Sequence, residues 1–262
     1  MRRRRSTTFA LLGALAMLAA LVGSALLLRT PTGVAQEQQP LLTYPEYPPT
    51  PTIGPNPTPA PGLASGVEVA REDFSAPAAF DAWTVVNLEF VLPEGRAVWE
   101  VADGRLAQAY TAAARNPSTL ETAALHPADW ADGAVRASFY DLHNGVAGLV
   151  ARYSDAVGDG TTASYYRYRV IKNSYSATPK QVLEKVVDGA AVSLVEIARP
   201  GFDERTWHIV ELTVIGGHLT VTLDGTVVAE ATDPQPLGAG RAGVYSRALG
   251  GILFDDVVIS AP

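Results

Sequence analysis

Residues 210–230 read VELTVIGGHLTVTLDGTVVAE, and this stretch decides the fold. Val210, Leu212 and Val214 alternate with Glu211 and Thr213, and Leu219, Val221 and Leu223 alternate with Thr220 and Thr222. A period of two puts each apolar set on one face of a strand. Gly216-Gly217 and Asp224-Gly225 divide the stretch into three segments. Glycine-containing pairs between alternating runs are the mark of tight hairpin turns. The segment is an antiparallel meander.

The same grammar extends outward in both directions. Val135, Ala137 and Phe139 alternate with Arg136, Ser138 and Tyr140, and Tyr166, Tyr168 and Val170 alternate with Tyr165, Arg167 and Arg169. From Val67 to Pro262, turn residues recur about every 8 to 12 positions, and no segment sustains a helical apolar period for three turns. About a dozen strands follow, so residues 67–262 are expected to form an all-β, two-sheet antiparallel jelly-roll sandwich. No repeat of about 20 to 50 residues is visible, which argues against a propeller or solenoid.

The first 66 residues belong to another regime. Arg2 to Arg5 precede an apolar run from Phe9 to Leu28, closed by Arg29. The run is long enough, at about 1.5 Å per residue, to cross a hydrocarbon core of roughly 30 Å, which favours a retained signal anchor. Gly33-Val34-Ala35 offers small residues to a signal peptidase, so cleavage before Gln36 stays open. Either way, the arginines hold the N-terminal end in the cytoplasm and send the rest outward. Residues 36–66 form a linker with nine prolines between Pro40 and Pro61 and only Glu37 and Glu46 charged. Such a segment buries no core and is expected to be disordered, extended and partly polyproline II.

Composition narrows the function. Five of the 20 basic residues lie in the first 29, leaving 15 against all 27 acidic residues in the remainder. An acidic domain is a poor partner for nucleic acid. With no cysteine in the chain, disulfides, thiol nucleophiles, cysteine-ligated zinc and a lipidated-cysteine anchor are all excluded. His126, His143, His208 and His218 are scattered without the spacing of a zinc site.

Trp99-Glu100-Val101-Ala102-Asp103-Gly104-Arg105-Leu106 resembles the W-x-V-x-D-G-x-L opening of concanavalin A-like lectin/glucanase domains, including their laminin G-like and keto-disaccharide hydrolase-like branches. Gly148 to Tyr153 with Tyr165 to Arg167 resembles the central hairpin of that superfamily. Trp207 to Gly225 resembles its late meander, and Gly240 to Tyr245 with Phe254 to Val257 its closing strands. The resemblance implies two curved sheets with a concave face on which relatives often bind glycans. It also implies that any structural calcium would involve the terminal strands, nominating Asp255, although no local spacing marks a metal site and no cofactor is expected.

Retaining glucanases of the superfamily carry acids at alternate positions of one strand, because a period of two puts them on one face. This chain has no Glu-x-Asp. Glu184 and Asp188 are separated by the approach to an Asp188-Gly189 turn, and the side chains of adjacent Asp255 and Asp256 would point to opposite faces of a regular strand. A hydrolase would need acids from different strands. Trp99 and Trp207 sit in apolar contexts and are expected in the core, and the Ser154 to Gly160 loop reads as a solvated hairpin. The expected ligand site is therefore the parity opposite the apolar rows. Arg152, Arg167, Arg169, Tyr165 and Tyr140, with Arg136, are expected to share a solvated face that presents forked donors and aromatic edges to a glycan or uronate. The resulting reading is an extracytoplasmic, non-catalytic glycan-binding module. Two alternatives stand beside it: a hydrolase of the keto-disaccharide branch, and a structural display domain.

Overall fold

The computed structural model describes residues 53, 54, 56, 66–90, 96–109, 121–142, 145–171, 178–199, 201–248 and 250–262. The apolar run 9–28, most of the linker and His143 lie outside them. Among the described residues no helix is long and apolar enough to cross a membrane.

The strands among the described residues are β1 (Val67–Glu72), β2 (Thr84–Asn87), β3 (Val98–Ala102), β4 (Arg105–Ala109) and β5 (Glu121–Trp130). Next come β6 (Gly133–Asp141), β7 (Val146–Ser154), β8 (Ser164–Ile171), β9 (Lys180–Val187) and β10 (Ala190–Ile197). The chain closes with β11 (Trp207–Ile215), β12 (His218–Leu223), β13 (Thr226–Thr232), β14 (Gly240–Arg247) and β15 (Ile252–Ala261). All pairings are antiparallel, in an eight-stranded sheet ordered β13-β12-β11-β6-β15-β4-β3, with β1 also paired to β15, and a seven-stranded sheet ordered β10-β9-β8-β7-β14-β5-β2. The all-β, two-sheet antiparallel sandwich read from the sequence is the architecture observed.

The hairpins follow their turn residues. Asp103-Gly104, Asp188-Gly189 and Asp224-Gly225 all take positive φ at both positions, the conformation that joins twisted strands in two residues and that Asp-Gly adopts at low cost. Between the sheets lies one continuous core of inward rows. Val135, Ala137 and Phe139 of β6 meet Leu149 and Ala151 of β7, Tyr166, Tyr168 and Val170 of β8, and Leu212 and Val214 of β11. Trp99 stacks on Phe254 at 5.9 Å between ring centroids, as expected of a core tryptophan, and donates its indole N–H to Thr122 Oγ1.

The outward rows depart from expectation. Both faces of β6 are buried, and the outward row of β8 is almost as dry as the inward one. Alternation thus sorts residues between faces without showing that either face is wet.

Candidate functional site

The outer face of the seven-stranded sheet, called the front here, carries a second apolar cluster. It comprises Ala123 and Leu125 of β5, Val146, Val150 and Tyr153 of β7, Tyr165 and Ile171 of β8, Val186 of β9 and Tyr245 of β14. Tyr245 is centred between small neighbours: Ala123 on β5 and Gly148 on β7 lie directly opposite it. Gly148 must be glycine, since a Cβ there would come within 2.1 Å of the Tyr168 carbonyl. With no side chain at that position, the Arg167 guanidinium reaches over the Tyr245 ring at 5.0 Å and over the Tyr165 ring at 5.9 Å.

Cross-strand register then assembles charge on this floor. Arg167 of β8 is directly opposite Glu184 of β9. Its Nε and Nη2 both donate to Glu184 Oε2, at 2.9 and 2.7 Å, and its Nη1 donates to Glu121 at the start of β5. Arg169 Nη2 donates to Glu184 Oε1 at 2.8 Å, and Arg169 and Arg247 each approach Glu121 Oε1, at 3.8 and 4.0 Å. Burial alone would raise the Glu184 pKa, but Arg167 and Arg169 outweigh it and hold the carboxyl below the ordinary carboxylate range. Burial, with the charges of Glu121 and Glu184, pushes Tyr165 up to about 12 despite Arg167, so its phenol is neutral.

Three arginines face two glutamates here, and the pairing is incomplete. Tyr245 Oη, Arg169 Nε and Arg247 Nε are buried and have no hydrogen-bond partner. Buried polar atoms are nearly always paired, so three unpaired ones in a single cluster set it apart from its surroundings. With Glu89, whose charge acts on both Glu121 and Arg247, the front sets three guanidiniums against three carboxyl groups. The two guanidinium Nε–H groups can only donate, and the Tyr245 hydroxyl can donate or accept.

At the rim, Leu88 packs against the front cluster, and Phe90, two residues on, is 82% exposed. Glu89 between them accepts the Glu121 backbone N–H at 2.7 Å, and burial raises its pKa above the usual carboxylate value.

This sandwich has counterparts among solved structures. A Bacillus subtilis protein of unknown function with a galectin-like fold superposes at a TM-score of 0.58 with 14% identity, over 74% of this chain and 96% of its own. The Bacillus licheniformis β-glucanase superposes at 0.54 with 13% identity, over 76% and 100%. The fold is that of concanavalin A-like lectins and glucanases. The carbohydrate-binding module CBM66 of Bacillus subtilis is a further match, at 0.50 with 18% identity, over 69% and 96%. No protein-family model and no curated protein matches the sequence.

Within this fold the five residues proposed from sequence are divided. Arg167, Arg169 and Tyr165 come together on the front. Tyr140 and Arg136 do not join them, because the chain changes sheets between β6 and β7 and carries them to the outer face of the eight-stranded sheet, the back. There Tyr140 contacts Trp207 at 5.4 Å between centroids, so Trp207 is an outward residue and not a core one. Arg152 was expected beside Val150 on the outer face. A bulge between Ala151 and Ser154 gives it a φ of 52°, and its guanidinium turns to the inward row, 6.0 Å over the Tyr166 ring. It donates there to the carbonyls of Ala131 and Leu237 and to Asp132 Oδ1. Its place is taken on the front by Tyr153.

Sequence reading missed Tyr245, Arg247, Glu121 and Glu184 as parts of the site. Spacing relates Glu184 only to Asp188, and cross-strand register is what reveals its arginine partners.

Other candidates resolve into local structure. Asp155 accepts N–H groups from Val157, Gly158 and Gly160, and Asp159 those from Thr161 and Thr162, so the acids of the 154–160 loop hold its own backbone. Asp255 and Asp256 do not diverge. Asp256 takes a φ of 46° at a bulge, and both carboxylates accept from the Asn56 amide at 3.1 and 2.8 Å. The Asn56 amide faces both carboxylates and Arg71 lies 3.9 Å from Asp256, so groups of the chain itself meet their charge. Among the described residues no three histidine or acidic side chains converge as metal ligands.

Proposed function

We propose that this protein is an extracytoplasmic glycan-binding module whose ligand face is the front, with Arg167, Arg169, Tyr165, Tyr245 and Arg247 at its centre and an acidic sugar as its preferred ligand. The single observation that carries the reading is the trio of unpaired polar atoms, Tyr245 Oη, Arg169 Nε and Arg247 Nε, in a cluster that gathers three arginines. A uronate carboxylate supplies the missing acceptors, and Phe90 offers a ring face to the C–H face of the next pyranose. Structural neighbours support the class, since they include a carbohydrate-binding module and the carbohydrate recognition domain of Emp46p, at a TM-score of 0.53 and 7% identity.

Binding without turnover agrees with the electrostatics of the front. Glu184 is held ionised by two arginines, whereas a glycosidase general acid needs a raised pKa. One observation favours a hydrolase as second reading: Glu89, whose pKa burial raises, lies beside Glu121, a pair of neighbouring carboxyl groups from different segments. Calorimetric titration with a galacturonic acid tetrasaccharide and a neutral glucose tetrasaccharide separates the cases. The module reading expects at least tenfold tighter binding of the acidic sugar, weakening with salt, and no new reducing ends. Equal affinities or no binding would overturn the acidic site, and released product would establish the hydrolase.

Setting rests on Arg2 to Arg5 and the apolar run after them. Protease added to intact spheroplasts should remove the sandwich, and full protection would place it on the other side of the membrane.

A further inference from the structure

The back holds an aromatic pair with an unexpected occupant. Trp207 and Tyr140 lie side by side there, and the Arg105 guanidinium covers the Trp207 ring at 5.7 Å. The Trp207 indole N–H donates to the backbone carbonyl of Gly54 at 3.0 Å. Two residues on, the Asn56 amide bridges Asp255 and Asp256. Gly54 and Asn56 belong to the proline-rich segment that composition assigns to a spacer.

We infer that the back of the sandwich is a recognition surface for this protein's own proline-rich segment, which it clamps at Gly54 and Asn56. Proline-rich chains lack internal hydrogen bonds and leave their carbonyls free, and an indole donor beside a second aromatic ring is a suitable receptor for them. The second contact has its own logic. The bulge at Asp256 turns two neighbouring carboxylates to one side, where mutual repulsion calls for a shared donor, and the Asn56 amide supplies it. One contact uses a backbone atom and the other a side chain, so the clamp fixes position as well as affinity.

The consequence is directional. A segment fastened at Gly54 and Asn56 lies on the back, on the opposite side of the sandwich from the front. This last step rests on the reading of the front as the ligand face, but the clamp itself does not.

The clamp is tested on the full chain in detergent, labelled with ¹⁵N. The four tryptophans give four indole N–H signals, and Trp207→Phe identifies its own. In the triple variant Ile53→Ser, Gly54→Ser, Asn56→Gly, the Trp207 signal should shift and exchange with solvent at least tenfold faster. An unchanged signal and rate would overturn the clamp. Because the protein has no cysteine, a spin label on Ile53→Cys is unique, and it should broaden the Trp207 indole signal strongly. Absence of broadening would also overturn the clamp. Broadening that passes from labelled chains to unlabelled ¹⁵N chains on mixing would overturn the intramolecular form, placing a second copy's segment on the back. Retained clamp signals with failed sugar binding would leave the clamp standing and remove only the front reading.

Discussion

Front and back are built alike and finished differently. Each is the outward row of an antiparallel sheet, each collects aromatic rings, arginines and acids, and each is buried at its centre and exposed toward its edge strands. On the back, the Trp207 donor and the Asp255 and Asp256 carboxylates find partners in the chain itself, at Gly54 and Asn56. On the front, Arg167 is fully engaged while Tyr245, Arg169 and Arg247 each keep an unpaired atom. The back keeps unpaired atoms of its own, Asn56 Oδ1 and Glu211 Oε2, so what separates the two surfaces is that part of the chain itself is seated on the back.

The strongest way to break this comparison is at Arg167, which is 4% exposed. Arg167→Leu leaves Glu184 and Glu121 short of their main partner and should cost about 3 kcal/mol or more, lowering the melting temperature by roughly 6 to 12 °C. A loss below about 1 °C would show that the front network is slack and solvated. Arg152→Ala comes next. Removing a buried guanidinium from two carbonyls and Asp132 should cost about 2 kcal/mol in thermal unfolding. Arg152→Gly should lose less, because glycine tolerates the φ of 52°.

Those two expectations reverse what alternation implied. Strand identity, the Asp-Gly hairpins and the inward rows were legible in the sequence because each depends on neighbours within a few residues. Arg167, Arg169 and Tyr165 were rightly assigned to one face of β8 for the same reason. Their burial was not legible, because it is set by β14 and β5, whose Tyr245 and Glu121 are distant in sequence. Tyr140 was misgrouped because a short connection conceals a change of sheet. Arg152 was turned the wrong way because a one-residue bulge inverts parity and carries no local signature.

A smaller effect tests the inside of the eight-stranded sheet through pH. Burial would lower the His208 pKa, but hydrogen bonding and charge from Asp224, with Nδ1 to Oδ2 at 2.7 Å, raise it above the value of 6.5. A raised folded-state pKa contributes stability that is complete below about pH 6.5 and fades as pH climbs through the raised value. Because Asp224 is half exposed, the change should stay below about 1 kcal/mol, and His208→Gln should abolish it in urea titrations between pH 5 and about 8.5. Glu184 has the opposite sign. Its depressed pKa gives stability that is present above the ordinary glutamate value of 4.5 and lost in acid, so Glu184→Gln should flatten the acid limb.

The smallest expected change in stability is the sharpest test of the front. Tyr245→Phe deletes an unpaired hydroxyl and keeps the ring, so melting should move by less than about 0.5 kcal/mol in either direction. The same substitution should weaken uronate binding roughly tenfold. Equal affinity with wild type would mean that the hydroxyl is met by water and never by a ligand.

The pairing of β1 with β15 sets Val67 opposite Ala261, so the strands that open and close the sandwich run side by side at one seam. A body whose entrance and exit coincide behaves as a cassette. It can be spliced into a surface loop of an unrelated host without prising the host apart, and it can be permuted by joining its ends and reopening it at the Asp188-Gly189 hairpin.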